Sequence, residues 1–227
     1  LTGQTVSTSV QARDGQNGAI TWSLSFAQTS SSTILVPTGT FAAMTSYPAE
    51  SGDYLDTVAT ADFTGDGFVD MITSDQSWLL LYAGNGDGTF NAPTSFVGFD
   101  GASDLTAVDL DADGDQDLIA ADWVGSAGGG LAVWMSNGDG TFGSCKGYAG
   151  TASASRVATG DFDHDGNIDV AQSGWATAGL AVSLGNGDGT FHTRDIYNVA
   201  ASDDARSVSV GDFNGDGWDD IAVGTMT

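Results

Sequence analysis

Apolar residues along this chain fall in two patterns, neither of them helical. Some stretches alternate with polar residues, as in Thr57–Ala61 and Ala19–Phe26, and others are short unbroken runs, as in Trp78–Tyr82. Alternation with a period of two marks a strand with one buried face. A short run bounded by turn residues marks a strand buried on both faces. The runs are separated by clusters of Gly, Asp, Asn and Ser, which favour tight turns. The pattern predicts many short strands and almost no helix.

The predicted strands recur in groups of four. A first strand (Thr57–Ala61) leads into an acidic loop and a second (Asp70–Thr73) leaves it. A third (Trp78–Tyr82) is joined to a fourth (Thr89–Phe96) through Asn85-Gly86-Asp87-Gly88, a hairpin signal because these dipeptides accept positive φ. The same turn, followed by Thr-Phe, returns at 137–142 and 186–191, and Phe90, Phe142 and Phe191 are 52 and 49 residues apart. The acidic loops begin at Asp62, Asp109, Asp161 and Asp212, spaced by 47, 52 and 51. Four strands in every 50 or so residues make one blade of a β-propeller. The fold class expected is therefore all-β, a β-propeller of four-stranded blades with four to five repeat units.

Three units are complete, at about 56–100, 104–150 and 155–200, and a fourth at 205–227 contains only its first two strands, the second being Asp220–Gly224. Residues 33–47 match the second half of a unit: Gly39-Thr40-Phe41 through Tyr47 parallels Gly88-Thr89-Phe90 through Phe96, with Thr33–Val36 as the strand before. The repeats thus span 33–227, and the first and last segments can close a ring by sharing one blade. Residues 1–32 form a separate N-terminal strand segment, with Val10–Ala12 and Ala19–Phe26 flanking the turn-like stretch 13–18. It reads either as a degenerate half-blade that has lost its loop or as a donor segment that reaches another molecule.

The loops carry the chemistry. Their common form is acid-x-oxygen-x-Asp-Gly-x-x-Asp. The first offers Asp62, Thr64, Asp66 and Asp70, and the second offers Asp109, Asp111, Asp113 and Asp117. The third offers Asp161, Asp163, Asp165 and Asp169, and the fourth Asp212, Asn214, Asp216 and Asp220. The seventh-position carbonyls of Phe68, Asp115, Asn167 and Trp218 can add one ligand each. A hard cation such as Ca²⁺ takes six to eight oxygens at about 2.3–2.6 Å, and a glycine at position six permits the sharp turn that lets alternate side chains converge. An EF-hand shares the first half of this pattern but needs a Glu at position twelve and flanking helices. Position twelve here is Thr73, Ala120, Gln172 or Val223, and the flanks are strand-like, so the EF-hand is rejected. Asx-rich turns without metal would account for a single copy. Four copies in register, each crowding three or four carboxylates, point to about four bound Ca²⁺.

Charge narrows the partners. Formal net charge is −25, every acid but Glu50 is Asp, and four divalent cations would still leave −17. Such a surface argues against nucleic acid and anionic membrane as partners. No run reaches the ~18 apolar residues of a membrane span. Cys145 is the single cysteine, so no intrachain disulfide forms. Millimolar free Ca²⁺ is an extracellular condition, so the ligands place the protein outside the cell or at its surface.

Together the acidic loops, the preceding Val-Ala-Thr-Ala-Asp-Phe (58–63) and Val-Ala-Thr-Gly-Asp-Phe (157–162), and the Gly-Asn-Gly-Asp-Gly-Thr-Phe segments resemble the FG-GAP/VCBS repeat family of integrin-α-like β-propellers. The resemblance covers about 56–227 well, 33–47 in part and 1–32 poorly, and it implies the propeller fold and calcium. It leaves function open, because the family includes adhesion heads, lectin-like modules and accessory domains of secreted enzymes. Complete family propellers usually have seven blades.

No catalytic constellation stands out, so the expectation is a non-enzymatic protein. His164 sits at a non-ligand position of a metal loop, facing solvent, and His192 follows a hairpin turn. Trp78, Trp123 and Trp175 recur near the connection between second and third strands. Trp123 and Trp175, beside glycine and small residues, are the candidate ligand-binding residues, since open indole rings stack on sugar faces. A Trp at a repeat position equally serves blade packing. The leading expectation is a secreted calcium-binding propeller for adhesion, binding a glycan or an extracellular protein. One alternative is a structural subunit of an extracellular filament or layer, assembled head to tail through terminal strands. The other is an accessory domain of a larger secreted hydrolase.

Overall fold

The structure, a computed structural model, describes residues 6–13, 19–26, 31–34, 45–48, 57–74, 78–98, 102–122, 130–151, 153–174, 179–198 and 204–226. In chain order the strands are β1 (Val6–Arg13), β2 (Ala19–Phe26), β3 (Ser31–Ile34), β4 (Thr45–Pro48), β5 (Thr57–Ala61), β6 (Asp70–Ser74), β7 (Trp78–Tyr82), β8 (Thr94–Gly98) and β9 (Ala102–Val108). They continue as β10 (Asp117–Asp122), β11 (Gly130–Trp134), β12 (Lys146–Ala149), β13 (Ala154–Gly160), β14 (Asp169–Gly174), β15 (Gly179–Ser183), β16 (Asp195–Asn198), β17 (Asp204–Gly211) and β18 (Asp220–Met226). The described residues contain no helix, and so none long and apolar enough to cross a membrane.

The protein is all-β and propeller-like. Three antiparallel meanders of four strands, β5–β8, β9–β12 and β13–β16, are the three complete units. Two-stranded sheets β3–β4 and β17–β18 stand before and after them in sequence, and β1–β2 pairs separately from Val6↔Phe26 to Arg13↔Ala19. The predicted fourth strand at Thr89–Phe96 starts later, at Thr94. Phe90 instead makes an isolated bridge to Gly84, because Thr89 is held in the turn by Asp87. Of the predicted Thr33–Val36 strand, Thr33 and Ile34 lie in β3, which begins at Ser31, and 35–36 lie outside the described residues, as does the turn sequence Gly39–Phe41.

Successive sheets pack face to face, which explains the unbroken apolar runs. On β10, Leu118 and Ala120 join the cluster shared with Phe63, Ile72 and Leu79, whereas Ile119 and Ala121 join Val157, Val170 and Phe191 on the other side. Every residue of β10 and β11 is buried. A strand sandwiched in this way has no solvent face and loses its polar alternation.

One aromatic contact repeats between units. The Phe that ends each hairpin turn meets an aromatic on the fourth strand of the preceding unit. Tyr47 meets Phe90 at 5.6 Å and 82°, Phe96 meets Phe142 at 4.7 Å and 22°, and Tyr148 meets Phe191 at 5.3 Å and 85°. Such pairs contribute about 0.5–1.5 kcal/mol beyond burial.

The first strands are joined by side chains. Asp104 on β9 accepts the N–H of Val157 at 3.1 Å and approaches the Thr57 hydroxyl at 3.5 Å, and that hydroxyl accepts the N–H of Leu105. Burial raises the Asp104 pKa, against the opposing pull of Val157 N–H and Arg156. A carboxyl whose folded pKa lies above its unfolded value holds its proton more tightly in the native state. Its contribution to stability is full below the unfolded pKa and is lost as pH rises through the folded one. Asp104→Asn, neutral at every pH, should therefore gain on the wild type between pH 4 and 7. Urea unfolding in excess calcium at both pH values measures this, and a stability difference independent of pH would refute it.

Candidate metal centres

Each acidic loop links the first strand of a unit to its second. Two of its backbone positions are left-handed. The sixth carries φ of 86°, 98°, 90° and 88° at Gly67, Gly114, Gly166 and Gly217. The fourth carries 70°, 59°, 63° and 80° at Gly65, Ala112, His164 and Gly215. The sequence pattern identified the first of these and missed the second, since two of its four residues have a β-carbon.

Within this frame the carboxylates hold the backbone. Position one (Asp62, Asp109, Asp161, Asp212) accepts the N–H of the position-six glycine at 2.8, 3.0, 2.9 and 2.9 Å. Position five (Asp66, Asp113, Asp165, Asp216) accepts the N–H of Phe68, Asp115, Asn167 or Trp218 at 2.9, 2.9, 2.8 and 2.9 Å. Position nine does more. Asp70, Asp117 and Asp169 are at most 1 % exposed. One oxygen of each takes the N–H of Phe63, Leu110 or Phe162, and the other takes that of Gly84, Ser136 or Gly185 just beyond the third strand, at 2.8 Å in each case. In the fourth loop Asp220 accepts from Phe213 at 3.0 Å, and its second oxygen lies 3.5 Å from the Asn214 amide. The ninth acid is thus a clamp across the unit as well as part of the acidic cluster.

Oxygens converge in these loops. Asp109, Asp111 and Asp117 each place one carboxylate oxygen within 4.8 Å of the others, and so do Asp161, Asp163 and Asp169. Asp109 Oδ1, Asp111 Oδ1 and Thr64 Oγ1 are buried with no hydrogen-bond partner. A buried oxygen without a partner costs about 1–3 kcal/mol, more when charged. These orphaned oxygens lie at positions one and three, where a cation would be held. An all-oxygen donor set fits a hard cation rather than a thiolate- or imidazole-seeking one. The electrostatics agree. Burial, helped by the charges of Asp111 and Asp113, pushes Asp117 up to about 6. Burial raises Asp169 likewise, with Asp163 and Asp165 adding, and burial and then Asp113 and Asp109 raise Asp111. Asp212 goes the other way, lowered by the N–H of Gly217.

The seventh-position side chains lie on the outside. Phe68 and Trp218 are 46 % exposed. Trp218 stacks on His164 of the preceding loop at 4.6 Å and 29°, so this solvent-facing histidine also bridges two loops. The hydroxyls of Thr89, Thr141 and Thr190 lower the pKa values of Asp87, Asp139 and Asp188 in the hairpin turns. Their oxygens serve the turns. Trp123 and Trp175, the candidate sugar-stacking residues, lie outside the described residues; Trp78 is exposed and Trp134 is buried.

A meander of four strands with an oxygen-rich loop between the first two, repeated every 50 or so residues, defines a propeller-type repeat protein. The FG-GAP-like repeat model matches residues 62–120, 109–171 and 174–223, and the chain belongs to that family. No curated protein matches it. Among solved structures it is similar to an Agrocybe aegerita lectin described as recognising non-reducing terminal N-acetylglucosamine. Identity there is 28 %, TM-score 0.52, and the match covers 71 % of this chain and 44 % of the lectin. It also matches the exotype rhamnogalacturonan lyase YesX at 17 % identity and TM-score 0.48, over 95 % of this chain and 46 % of the lyase. The chain spans less than half the length of either structure.

The loop backbone can be tested apart from packing. A β-carbon on Gly166 would meet nothing within 4 Å, so Gly166→Ala costs only its left-handed conformation. The expected loss is about 1–2 kcal/mol. Ala112→Gly removes the same penalty where it already exists, at φ 59°, and should leave stability unchanged or slightly raised. Urea midpoints of both variants check the pair, and equal losses from both would contradict the assignment.

Proposed function

We propose that this protein is a calcium-stabilised, non-enzymatic binding module that takes a glycan, or failing that a protein, outside the cell or at its surface. The observation that carries the reading is the similarity to a GlcNAc-recognising lectin, joined to loops whose orphaned oxygens suit a hard cation. The cation sets the frame and the exposed rim supplies contacts. Four loops imply about four Ca²⁺, with Mg²⁺ a poor substitute because it demands strict octahedral geometry. The extracellular location follows from the calcium level such loops need. Trp123 and Trp175 remain the residues proposed to stack on sugar.

Binding to the native state adds about 2.7 kcal/mol per site at a 100-fold excess over Kd, so four sites would add on the order of 10 kcal/mol. That rivals the whole stability of a typical domain. Elemental analysis should return about four Ca²⁺ per chain, and chelation should lower the melting temperature sharply. A glycan array with and without chelator tests the ligand: the expected result is calcium-dependent binding to a defined terminal sugar. Retention of calcium without binding to any glycan would remove the lectin reading while leaving the metal reading intact.

A further inference from the structure

The first acidic loop differs from the second and third in its third-position donor. Asp111 and Asp163 each bring a carboxylate oxygen within 4.8 Å of those at positions one and nine, whereas the first loop has the Thr64 hydroxyl at that position. A carboxylate has two oxygens and can turn either of them toward a cation, but a hydroxyl has one. The backbone that carries Thr64 must therefore be placed more closely. Thr64 Oγ1 is buried without a hydrogen-bond partner.

That backbone is held by the hairpin turn of the next unit, residues 137–141. Gly140 donates its N–H to the Phe63 carbonyl at 2.8 Å. A β-carbon on Gly140 would meet Thr64 Cγ2 at 3.2 Å and Leu81 Cδ2 at 3.3 Å, and one on Gly65 would stand 2.5 Å from the Gly138 carbonyl oxygen. Phe142, which follows the turn, lies 5.9 Å from the Phe63 ring. From the other side Asp70 takes the N–H groups of Phe63 and Thr64, each at 2.9 Å. Residues 63–65 are thus gripped between their own ninth-position acid and a turn of another unit. The turn is tied by its own bonds: Asn137 N–H to the Thr141 carbonyl at 3.0 Å, the Asn137 amide to the Thr141 hydroxyl at 2.9 Å, and Thr141 N–H to Asp139 at 3.0 Å. Its back rests on the second loop, since a β-carbon on Gly138 would run into the Asp115 carboxylate. The next interface is built differently. Gly189, the counterpart of Gly140, lies against the Met135 sulfur, and its carbonyl takes the Tyr148 hydroxyl.

We propose, on the reading of these loops as hard-cation sites, that Gly138 and Gly140 are positioning residues for the first loop. The turn of the second unit, docked on residues 63–65, holds the Thr64 oxygen at the cation position, so the metal affinity of the first loop is set across the interface. Glycine is needed at both places for two reasons at once: φ is 69° and 81°, and neither position has room for a β-carbon. Contacts that orient a metal ligand from behind are worth about 10–100-fold in metal affinity. The acidic loop of one unit and the hairpin turn of the next then act as one site, although the repeat prints them as separate motifs.

Calcium titration by calorimetry, with hydrogen exchange to report each loop, tests this on the full chain. In Gly140→Ala the first loop should bind Ca²⁺ about 10–100-fold more weakly. Residues 62–70 should lose the exchange protection that calcium gives them, while 109–117 and 161–169 keep theirs. Gly189→Ala, at φ 72°, carries the same left-handed strain in the matching turn of the next unit and should leave 62–70 as in the wild type. Thr64→Val keeps the side-chain shape without the oxygen and should weaken the first loop with the turn intact. Thr64→Asp added to Gly140→Ala should restore binding, because a carboxylate can reach a cation from a displaced backbone. Should Gly140→Ala fail to fold, Gly65→Ala against Gly67→Ala makes the comparison from the loop side: both positions are left-handed, but only a β-carbon on Gly65 meets the turn. Unchanged first-loop binding in Gly140→Ala or in Thr64→Val overturns the proposal and leaves the metal reading standing. Equal weakening of every loop by Gly140→Ala and Gly189→Ala overturns it as well, since it would mark a general loss of stability. A wild type that takes up no calcium overturns both readings.

Discussion

A buried carboxylate at the ninth position of each of the first three loops ties the two halves of its unit together. Asp70, Asp117 and Asp169 take one N–H from the start of their own loop and another from beyond the third strand. The sheet and the acidic cluster both depend on that geometry. Without the clamp the loop would be a free acidic excursion, and its oxygens would have no fixed point on which to converge. The arrangement has an electrostatic cost. Two carboxylates about 4 Å apart repel by roughly 1 kcal/mol in water and about 4 at an effective dielectric of 20. Burial pushes Asp117 and Asp169 up, and that repulsion adds to it. A divalent cation held among these oxygens would offset the repulsion.

The stack explains why no unit is self-sufficient. β10 and β11 bury both faces, one against the unit before and one against the unit after. Polar contacts follow the same direction: Gly140 donates to the Phe63 carbonyl, and Tyr148 donates to the Gly189 carbonyl. Repeat proteins of this kind gain stability from nearest-neighbour interfaces, and their terminal units carry surfaces that something else must cover.

Much of this was legible in the sequence because the repeat prints each feature several times. Four loops in register gave the positions of the loop acids, and three Asn-Gly-Asp-Gly turns gave the hairpins. What escaped was long-range or conformational. The partnership of Asp70 with Gly84 joins residues in separate strands, and no local pattern announces it. The left-handed fourth loop position is masked by Ala112 and His164, since a sequence signal for positive φ relies on glycine. The late start of β8 reflects Thr89 bonding back to Asp87, a turn preference that overrides the strand propensity of Thr and Phe. The spacing of Tyr47, Phe96 and Tyr148 is present in the sequence, but only the structure shows which turn phenylalanine each one meets.

Periodicity also divides structure from function. A residue that recurs in every unit, such as the turn phenylalanines or the ninth-position acids, is accounted for by packing and clamping that every unit needs. The asymmetric positions are on the outside. The seventh loop residue is Phe68, Asp115, Asn167 or Trp218, all on a common backbone geometry, and the phenyl and indole rings are half exposed. Trp218 is further set apart by its stack on His164, which gives one loop pair a flat aromatic and imidazole surface that the other described loop pairs have no residues to build. The loops therefore present one scaffold with four different faces.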